Sequence, residues 1–224
     1  MRLAEVSGSR VREEGALKLA VPRGALMDGT LDLLDRIGVD TAAVRGESRS
    51  LVFAAGGLIL VTMRPSDVPT YVEAGAADLG ITGKDVLLEQ SDRAVYELLD
   101  LHYGACRMVL AGRKGDESLG EAERRLGSIR IATKYPRIAV RYFEESGRQA
   151  EVIEVKGSVE LAPLAGLADG IVDLTATGRT LRENDLEVRE EIADCTARLV
   201  ANRVAHKLRQ AEIDDLVERI GARA

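Results

Sequence analysis

The 224-residue sequence has few aromatic residues and no tryptophan, and Phe, Tyr and Trp together make up 3% of the chain. Its formal net charge is −6 at pH 7, so basic residues are not in excess. Proteins that bind nucleic acid use basic surfaces, and many of them stack bases on aromatic rings. Nucleic acid is therefore not expected as a partner.

Cysteine and histidine are also scarce. The two cysteines, Cys106 and Cys195, lie far apart, and neither they nor His102 and His206 have a second ligand at the spacing that metal sites use. We interpret the cysteines as small buried hydrophobic residues and the histidines as ordinary core or surface residues. No metal site made by the protein alone is expected, and isolated cysteines fit a reducing compartment.

Long hydrophobic runs are absent. Runs such as residues 58–61 are far too short to cross a bilayer, and the first fourteen residues contain no apolar signal-peptide core. We therefore expect a cytoplasmic protein in which residues 1–16 form a flexible extension. The hydrophobic content of 46% is ample for a packed core in the remainder.

Strand and helix patterns alternate along the rest of the chain, which predicts an α/β fold with mixed sheets and helices on both faces. A Gly-rich turn at residues 54–57 predicts a hairpin. We expect one lobe of residues 17–103 and 186–224 and a second lobe of residues 104–185. The strand at residues 186–194 is expected to return to the first lobe, and residues 203–220 to form one closing helix.

The most informative stretch is an apolar strand that ends in an acid and a hydroxyl-rich loop. Asp173 is followed by Thr175, Thr177 and Thr180, which surround Gly178. Such a loop aims backbone N–H groups and hydroxyls into one small volume, as phosphate sites do. Asp173 is placed to accept hydrogen bonds from sugar hydroxyls or to meet a metal ion. The alternative is an ordinary strand-loop-helix turn whose threonines cap the next helix.

This stretch resembles the signature of the ATP phosphoribosyltransferases, which catalyse the first step of histidine biosynthesis. The matching residues are Glu160, Gly166, Ala168, Ile171, Asp173 and the run from Thr177 to Leu181. Residues 64–69, 80–86 and 131–136 resemble further segments of the family. The resemblance implies a two-lobed fold like that of type II periplasmic binding proteins, with the ligands in the cleft between the lobes.

The resemblance also implies the reaction. N1 of ATP attacks C1 of 5-phosphoribosyl-1-pyrophosphate (PRPP), pyrophosphate leaves, and no protein nucleophile is required. Mg²⁺, arginines and backbone amides would then supply catalysis through positioning and electrostatics.

Roles for individual residues follow from the resemblance. Glu160 and Asp173 face the ribose and its Mg²⁺, and Arg49 reaches the active site of a neighbouring subunit; these three are the expected catalytic residues. The loop expected to bind PRPP consists of Asp173, Thr175, Ala176, Thr177, Gly178, Arg179 and Thr180. Contacts to ATP or pyrophosphate are expected from Arg23, Gly24, Arg64, Thr82 and Gly83. For each arginine, a surface ion pair is the alternative.

The chain departs from the family pattern at Arg23 and Ala25, where lysine and then arginine are usual. Too few residues follow Leu181 for a separate regulatory domain, so the chain resembles the short form of the family. That form implies a homodimer and a separate regulatory subunit similar to histidyl-tRNA synthetase. The alternatives are a phosphoribosyltransferase with another base acceptor, a non-catalytic solute-binding protein of the same fold, and a catalytically silent regulatory subunit.

Overall fold

The computed structural model describes residues 15–46, 49–115 and 127–224. Of the extension expected over residues 1–16, the first fourteen lie outside the described residues. The strands are β1 (Leu17–Pro22), β2 (Val52–Ala55), β3 (Leu58–Met63), β4 (Leu79–Gly83), β5 (Val95–Asp100), β6 (Cys106–Arg113), β7 (Ile129–Thr133), β8 (Ala150–Glu154), β9 (Gly170–Thr175), β10 (Leu186–Cys195) and β11 (Ala197–Asn202).

The helices alternate with these strands. They are α1 (Met27–Arg36), α2 (Ala42–Arg45), α3 (Val68–Glu73), α4 (Lys84–Glu89), α5 (Pro136–Glu145), α6 (Leu161–Leu164), α7 (Arg179–Glu183), α8 (Arg203–Leu208) and α9 (Gln210–Gly221). Short 3₁₀ turns follow β1 at Gly24–Leu26 and β3 at Pro65–Asp67. None of the described helices is long and apolar enough to span a membrane.

The strands form two mixed sheets, as the sequence predicts. The first has six strands in the order β2-β3-β1-β4-β11-β5, and the second has five in the order β10-β6-β9-β7-β8. In the first, β1 is parallel to β3 and β4, whereas β2 and β11 run antiparallel to their neighbours. The predicted hairpin joins β2 to β3, where Gly56 and Gly57 take the positive φ angles that a tight hairpin turn needs.

Each sheet has its own hydrophobic core. Fully buried side chains of the first sheet, such as Leu19 and Leu60, pack against Leu33 of α1 and Ile213 of α9. In the second sheet, one face packs against Phe143 of α5 and the other against the segment around α6. The buried residues therefore form separate clusters on the two sheets, with a cleft where the sheets meet.

The expectation that residues 186–194 return to the first sheet is wrong. These residues form β10, which pairs antiparallel with β6 at the edge of the second sheet. Ile192 and Ala193 pack against the core of that sheet, which explains the choice of edge. The return is made by the next strand, β11, which lies between β4 and β5.

The single closing helix expected over residues 203–220 is in fact two helices, α8 and α9. They are separated at Arg209, which leaves helical geometry with φ −125° and ψ 33°. Its guanidinium donates to the carbonyl oxygens of Gly15 and Ala16 and pairs with Glu212. The break therefore ties the end of the chain to the start of β1.

The two sheets are held together by a contact between α4 and α5. The carboxylate of Glu89 accepts hydrogen bonds from the backbone N–H groups of Arg137 and Ile138, each at 3.0 Å. The Arg137 guanidinium also lies 2.7 Å from Asp92. Since these N–H groups belong to the first turn of α5, a side chain of the first half of the molecule caps a helix of the second.

Candidate active site

A cavity of about 410 Å³ lies between the two sheets. From the first half of the molecule, Gly83 and Asp85 line it at the carboxyl end of β4, and from the second half Leu174 and Ala176 line it at the end of β9. The rest of its wall consists of Ala25, Leu26, Pro65, Gly104, Ala105, Cys106, Cys195 and Thr196. In α/β folds, ligands bind outside the carboxyl ends of strands, so this cleft is the candidate active site.

The loop after β9 is braced by its own hydrogen bonds. The hydroxyl oxygen of Thr175 accepts a hydrogen bond from the N–H of Gly178 at 2.9 Å, and the Arg182 guanidinium donates to the carbonyl of Thr177 at 2.9 Å. Gly178 has φ +71°, and an added Cβ would lie 2.9 Å from the Arg182 guanidinium. A side chain at this position would therefore be strained and crowded.

The exposed part of the loop carries Thr177, Arg179 and Thr180. The backbone N–H of Arg179 lies 3.4 Å from the Thr177 hydroxyl, a long hydrogen bond, and no side chain of Gly178 can cap α7. The Arg179 guanidinium pairs with Glu183 at 2.7 Å on the surface of α7. Arg179 thus contributes its backbone, and not its charge, to the geometry of the loop.

Asp173 lies in a partly buried cluster of charges. Burial is the main cause that raises the pKa of its carboxyl, and the nearby Glu160 raises it further, whereas Lys134 and a hydrogen bond from the N–H of Leu174 lower it. The structure therefore brings Glu160 and Asp173 together, as the resemblance implies. Lys134 was not among the expected site residues, although it lies in the family-like segment at residues 131–136.

Asp85, which lines the cleft, and Tyr135, which contacts Asp85, are further residues that sequence reasoning missed. Burial raises the pKa of Asp85, and the Tyr135 hydroxyl donates to its carboxylate at 3.4 Å. Burial, followed by the charges of Asp85 and Asp173, raises the pKa of Tyr135. Tyr135 thus contacts Asp85 of the first half of the molecule and is affected by the charge of Asp173 in the second half. The sequence did contain a signal for both new residues, because each belongs to a family-like segment.

Gly83 explains how Asp85 fits into the cleft wall. A Cβ on residue 83 would overlap with the carboxylate oxygen Oδ1 of Asp85, so the carboxylate can turn back over β4 only beside a glycine. The neighbouring Thr82 is buried, and its hydroxyl donates to the carbonyl of Pro65 at 2.8 Å. Thr82 therefore holds the turn after β3 against the end of β4.

The first strand turn contains Arg23 and Gly24. The Arg23 Nε donates to the Thr62 hydroxyl at 3.3 Å, and Gly24 has φ +78°. Arg23 lines a second cavity of about 450 Å³, together with residues such as Arg45 and Ser50. Arg23 thus faces this second cavity and does not line the cleft cavity.

Arg64 and Arg49 are exposed, like the other predicted arginines. Arg64 lies between β3 and the following 3₁₀ turn, and Arg49 lies just before β2. Arg49 makes no hydrogen bond or ion pair with the other described residues, and it does not line the cleft cavity of its own chain. Within the described residues, no group of three or more His, Cys, Asp or Glu side chains is arranged to hold a metal ion.

Comparison with known proteins gives a consistent result. The family model described as ATP phosphoribosyltransferase matches residues 64–222. The chain is 56% identical over 208 residues to an ATP phosphoribosyltransferase of Rubrobacter xylanophilus, covering 92% of this chain and 95% of that protein. It is 48% identical over 207 residues to the enzyme of the same name from Moorella thermoacetica, covering 90% of each.

Solved structures add the fold. A chain of the ATP phosphoribosyl transferase (HisG:HisZ) complex from Thermotoga maritima superposes with TM-score 0.76 at 38% identity, covering 92% of this chain and 97% of that one. The aliphatic sulphonate binding protein SsuA of Escherichia coli superposes with TM-score 0.59 at 13% identity, covering 92% and 71%. The second likeness shows the fold alone, and it confirms the predicted two-lobed architecture.

Proposed function

This chain belongs to the ATP phosphoribosyltransferase family and catalyses the first step of histidine biosynthesis; we propose that the reaction takes place in the cleft between its two sheets. N1 of ATP attacks C1 of PRPP there, and pyrophosphate leaves. The observation that carries the proposal is that Asp85, in the first turn of α4 just after β4, and Asp173, on β9, both act electrostatically on Tyr135. The carboxyl ends of both strands therefore contribute to one site.

We assign the PRPP half of the site to the end of β9. The loop of Asp173, Thr175, Ala176, Thr177, Gly178, Arg179 and Thr180 would hold the 5-phosphate through backbone N–H groups and exposed hydroxyls. Internal bracing by Thr175 and Arg182 supports this role, because a fixed loop loses little freedom when the phosphate binds. Glu160 and Asp173 would hold the ribose hydroxyls.

We assign contacts to ATP and pyrophosphate to the other wall. The candidates are Arg23, Gly24, Arg64, Thr82 and Gly83. Gly83 lines the cleft directly, whereas Thr82 acts through the turn that carries Pro65. Negative charge grows on pyrophosphate as it leaves, so cations and backbone amides at this wall would stabilise the transition state. The replacement of the usual lysine and arginine by Arg23 and Ala25 leaves fewer side-chain cations here.

The residues of the cleft fit one Mg²⁺ that arrives with the polyphosphate. Protein sites commonly bind Mg²⁺ through one or two carboxylates plus substrate phosphates. Glu160 and Asp173 supply two neighbouring carboxylates, and their mutual repulsion would be relieved by a cation. Bound there, the ion would neutralise charge on the pyrophosphate.

A pyrophosphate-release assay with ATP, PRPP and Mg²⁺ tests the proposed site. We expect release to require both substrates and to fall when Asp173 is replaced by asparagine. Adenine, guanine and the other free bases in place of ATP serve as controls, because a transferase with another acceptor would release pyrophosphate with one of them. Full activity of Asp173→Asn would contradict the location of the site.

We also propose a homodimer with shared active sites. The support is that Arg49 is exposed and has no partner among the described residues of its own chain. Mixing Arg49→Ala with a Thr177→Val, Thr180→Val double variant should restore part of the activity, because some hybrid sites carry neither change. Subunit exchange is followed separately with two affinity tags. Exchange without recovery of activity would contradict a shared site.

A separate regulatory subunit is proposed as the third partner. The support is the similarity to a chain of the HisG:HisZ complex of Thermotoga maritima. We expect the isolated chain to bind no histidine in calorimetry and to be inhibited by histidine only after a subunit similar to histidyl-tRNA synthetase is added. Tight histidine binding by this chain alone would contradict the proposal.

A cytoplasmic location is also proposed, and fractionation of cells tests it.

A further inference from the structure

The chain passes between the two sheets at two places among the described strands. The first connection joins β5 to β6, and the second joins β10 to β11 through Thr196. Cys106 is the first residue of β6, and Cys195 is the last residue of β10. Each connection therefore has a cysteine at its second-sheet end, and these are the two cysteines of the sequence.

The two cysteines lie directly opposite each other. β6 and β10 are antiparallel, and Cys106 is the register partner of Cys195. Opposite residues of antiparallel strands have Cα atoms about 4.5–5.5 Å apart and side chains on the same face. Disulfides span Cα distances of about 4.4–6.8 Å, so the Cα separation expected for this pair suits the bond. Both residues are free thiols here.

The two thiols differ in access and in acidity. Cys106 is half-buried, Cys195 is 1% exposed, and both line the cleft cavity. The hydrogen bond with Cys195 lowers the pKa of Cys106, whereas the same hydrogen bond and burial raise the pKa of Cys195. The nearby Asp85 opposes ionisation of both. The thiolate is the reactive form, so Cys106 is the better nucleophile and Cys195 the resolving thiol.

We propose that Cys106 and Cys195 form a redox-active pair that closes to an intramolecular disulfide in the cleft wall, by exchange with a small-molecule disulfide such as oxidised glutathione. The thiolate of Cys106 attacks one sulfur of glutathione disulfide, giving a mixed disulfide and one glutathione, which takes up the proton that Cys106 lost. Cys195 then gives up its proton and attacks the Cys106 sulfur, releasing the second glutathione. Two protein thiols are oxidised while one small disulfide is reduced.

The bond would affect the cleft because of where it lies. It would join the two connections between the sheets, and it would line the same cavity as Gly83 and Ala176. A misplacement of reacting groups by about 1 Å can cost about 100-fold in rate. The oxidised protein is therefore expected to lose phosphoribosyl transfer on the order of tenfold or more. This part of the inference rests on the proposed site.

The first test measures the thiols and does not depend on activity. The reduced full-length protein is equilibrated with glutathione buffers of rising oxidised fraction, quenched with acid, alkylated and examined by mass spectrometry without reduction. We expect both thiols to disappear together, with a linked peptide pair containing Cys106 and Cys195 and no retained glutathione. Free thiols in a fully oxidised buffer, stable glutathione on Cys106, or links only between chains would each overturn the proposal.

Matched variants identify the order of the steps. Cys195→Ala should stop at the mixed disulfide and retain glutathione on Cys106, whereas Cys106→Ser should react with little or no glutathione because Cys195 is buried. Melting curves confirm that each variant folds. Retention of glutathione by Cys106→Ser, with Cys195→Ala unreacted, would overturn the assigned roles.

The second test compares pyrophosphate release before and after oxidation. The parent protein should lose activity on the order of tenfold or more and regain it with dithiothreitol, while Cys195→Ala should show a smaller ratio. A linked pair with unchanged activity would overturn the effect on the cleft. Absence of activity in the reduced parent would instead count against the proposed function. The thiol measurements would still show whether Cys106 and Cys195 form a disulfide.

Discussion

Asp85 and Asp173 lie on opposite sides of the cleft, Asp85 in α4 of the first half of the molecule and Asp173 on β9 of the second, and their surroundings differ. Burial raises the pKa of both carboxyls. Asp173 has charged neighbours, Glu160 and Lys134, whereas Asp85 is contacted by backbone N–H groups and the Tyr135 hydroxyl. One wall thus offers a charged cluster suited to a sugar and its cation, and the other a buried acid among neutral donors. A shifted pKa alone does not distinguish the two roles, but the neighbours do.

The largest expected effect concerns the charge at Asp173. Asp173→Asn should lower kcat/KM by about 100-fold or more, the scale seen when one positioned electrostatic group is lost. Asp214→Asn, a change at an exposed carboxylate of α9, is the matched control and should retain activity. Steady-state kinetics with varied PRPP measures both. Parental kinetics in Asp173→Asn would contradict a catalytic role for the charged cluster around Asp173.

The phosphate loop gives the next effect. Thr177→Val or Thr180→Val should weaken PRPP binding by roughly 10- to 100-fold, because a hydrogen bond to a charged group is worth about 1.5–3 kcal/mol. Thr70→Val, at an exposed threonine of α3, serves as the control. Calorimetry with PRPP measures the affinities. If both loop variants bind PRPP as the parent does, the phosphate lies elsewhere.

The third expected effect concerns Asp85 and the stability of the folded protein. Because burial raises the pKa of Asp85, the folded state holds its proton more tightly than the unfolded state. The cost of burial is absent below the unfolded pKa of about 3.9 and appears as pH rises through the folded pKa. Asp85→Asn should therefore melt at a higher temperature than the parent at neutral pH, by about 2–4 °C for each kcal/mol recovered.

The gain in Asp85→Asn should shrink as pH falls and should exceed that of Asp173→Asn, since Lys134 already offsets part of the burial at Asp173. Melting curves from acid to neutral pH measure all three proteins. A gain that stays constant with pH would mean that the charge of Asp85 is not its cause.

The smallest effect concerns the contact that sets the two walls side by side. Glu89→Ala removes the acceptor for the first-turn N–H groups of α5, and loss of a helix cap costs about 1 kcal/mol. The melting temperature should fall by roughly 2–4 °C. Glu144→Ala, at an exposed residue of α5, is the control and should melt as the parent does. Equal melting of the two variants would show that the cap contributes nothing.

The parts that could be predicted from sequence are those encoded in one continuous segment. The strand and loop from Asp173 to Thr180 follow from a run of apolar residues and the hydroxyls after it, and the structure confirms the strand and the loop; phosphate binding stays a prediction. The α/β fold with mixed sheets is also confirmed. It could be predicted because the patterns that indicate strands and helices are local.

The features that could not be predicted depend on distant partners. Tyr135 reaches Asp85 across 50 residues of sequence, through the packing of α5 beside α4, and no local pattern records that packing. Nor does the strand at residues 186–195 encode which sheet edge it joins, because either edge accepts an antiparallel strand. Its place is fixed by the packing of Ile192 and Ala193 against the hydrophobic core of the second sheet.

The position of β11 has a consequence for synthesis of the protein. β11 lies between β4 and β5, yet more than half of the chain separates it from β4. The second sheet is made from one unbroken segment, from Cys106 to Cys195, whereas the first has a missing central strand until residues 197–202 leave the ribosome. Long-range pairings of this kind form slowly, because the intervening chain must be ordered first. The second sheet can therefore fold before the first sheet is complete, and β4 and β5 expose open edges during that interval.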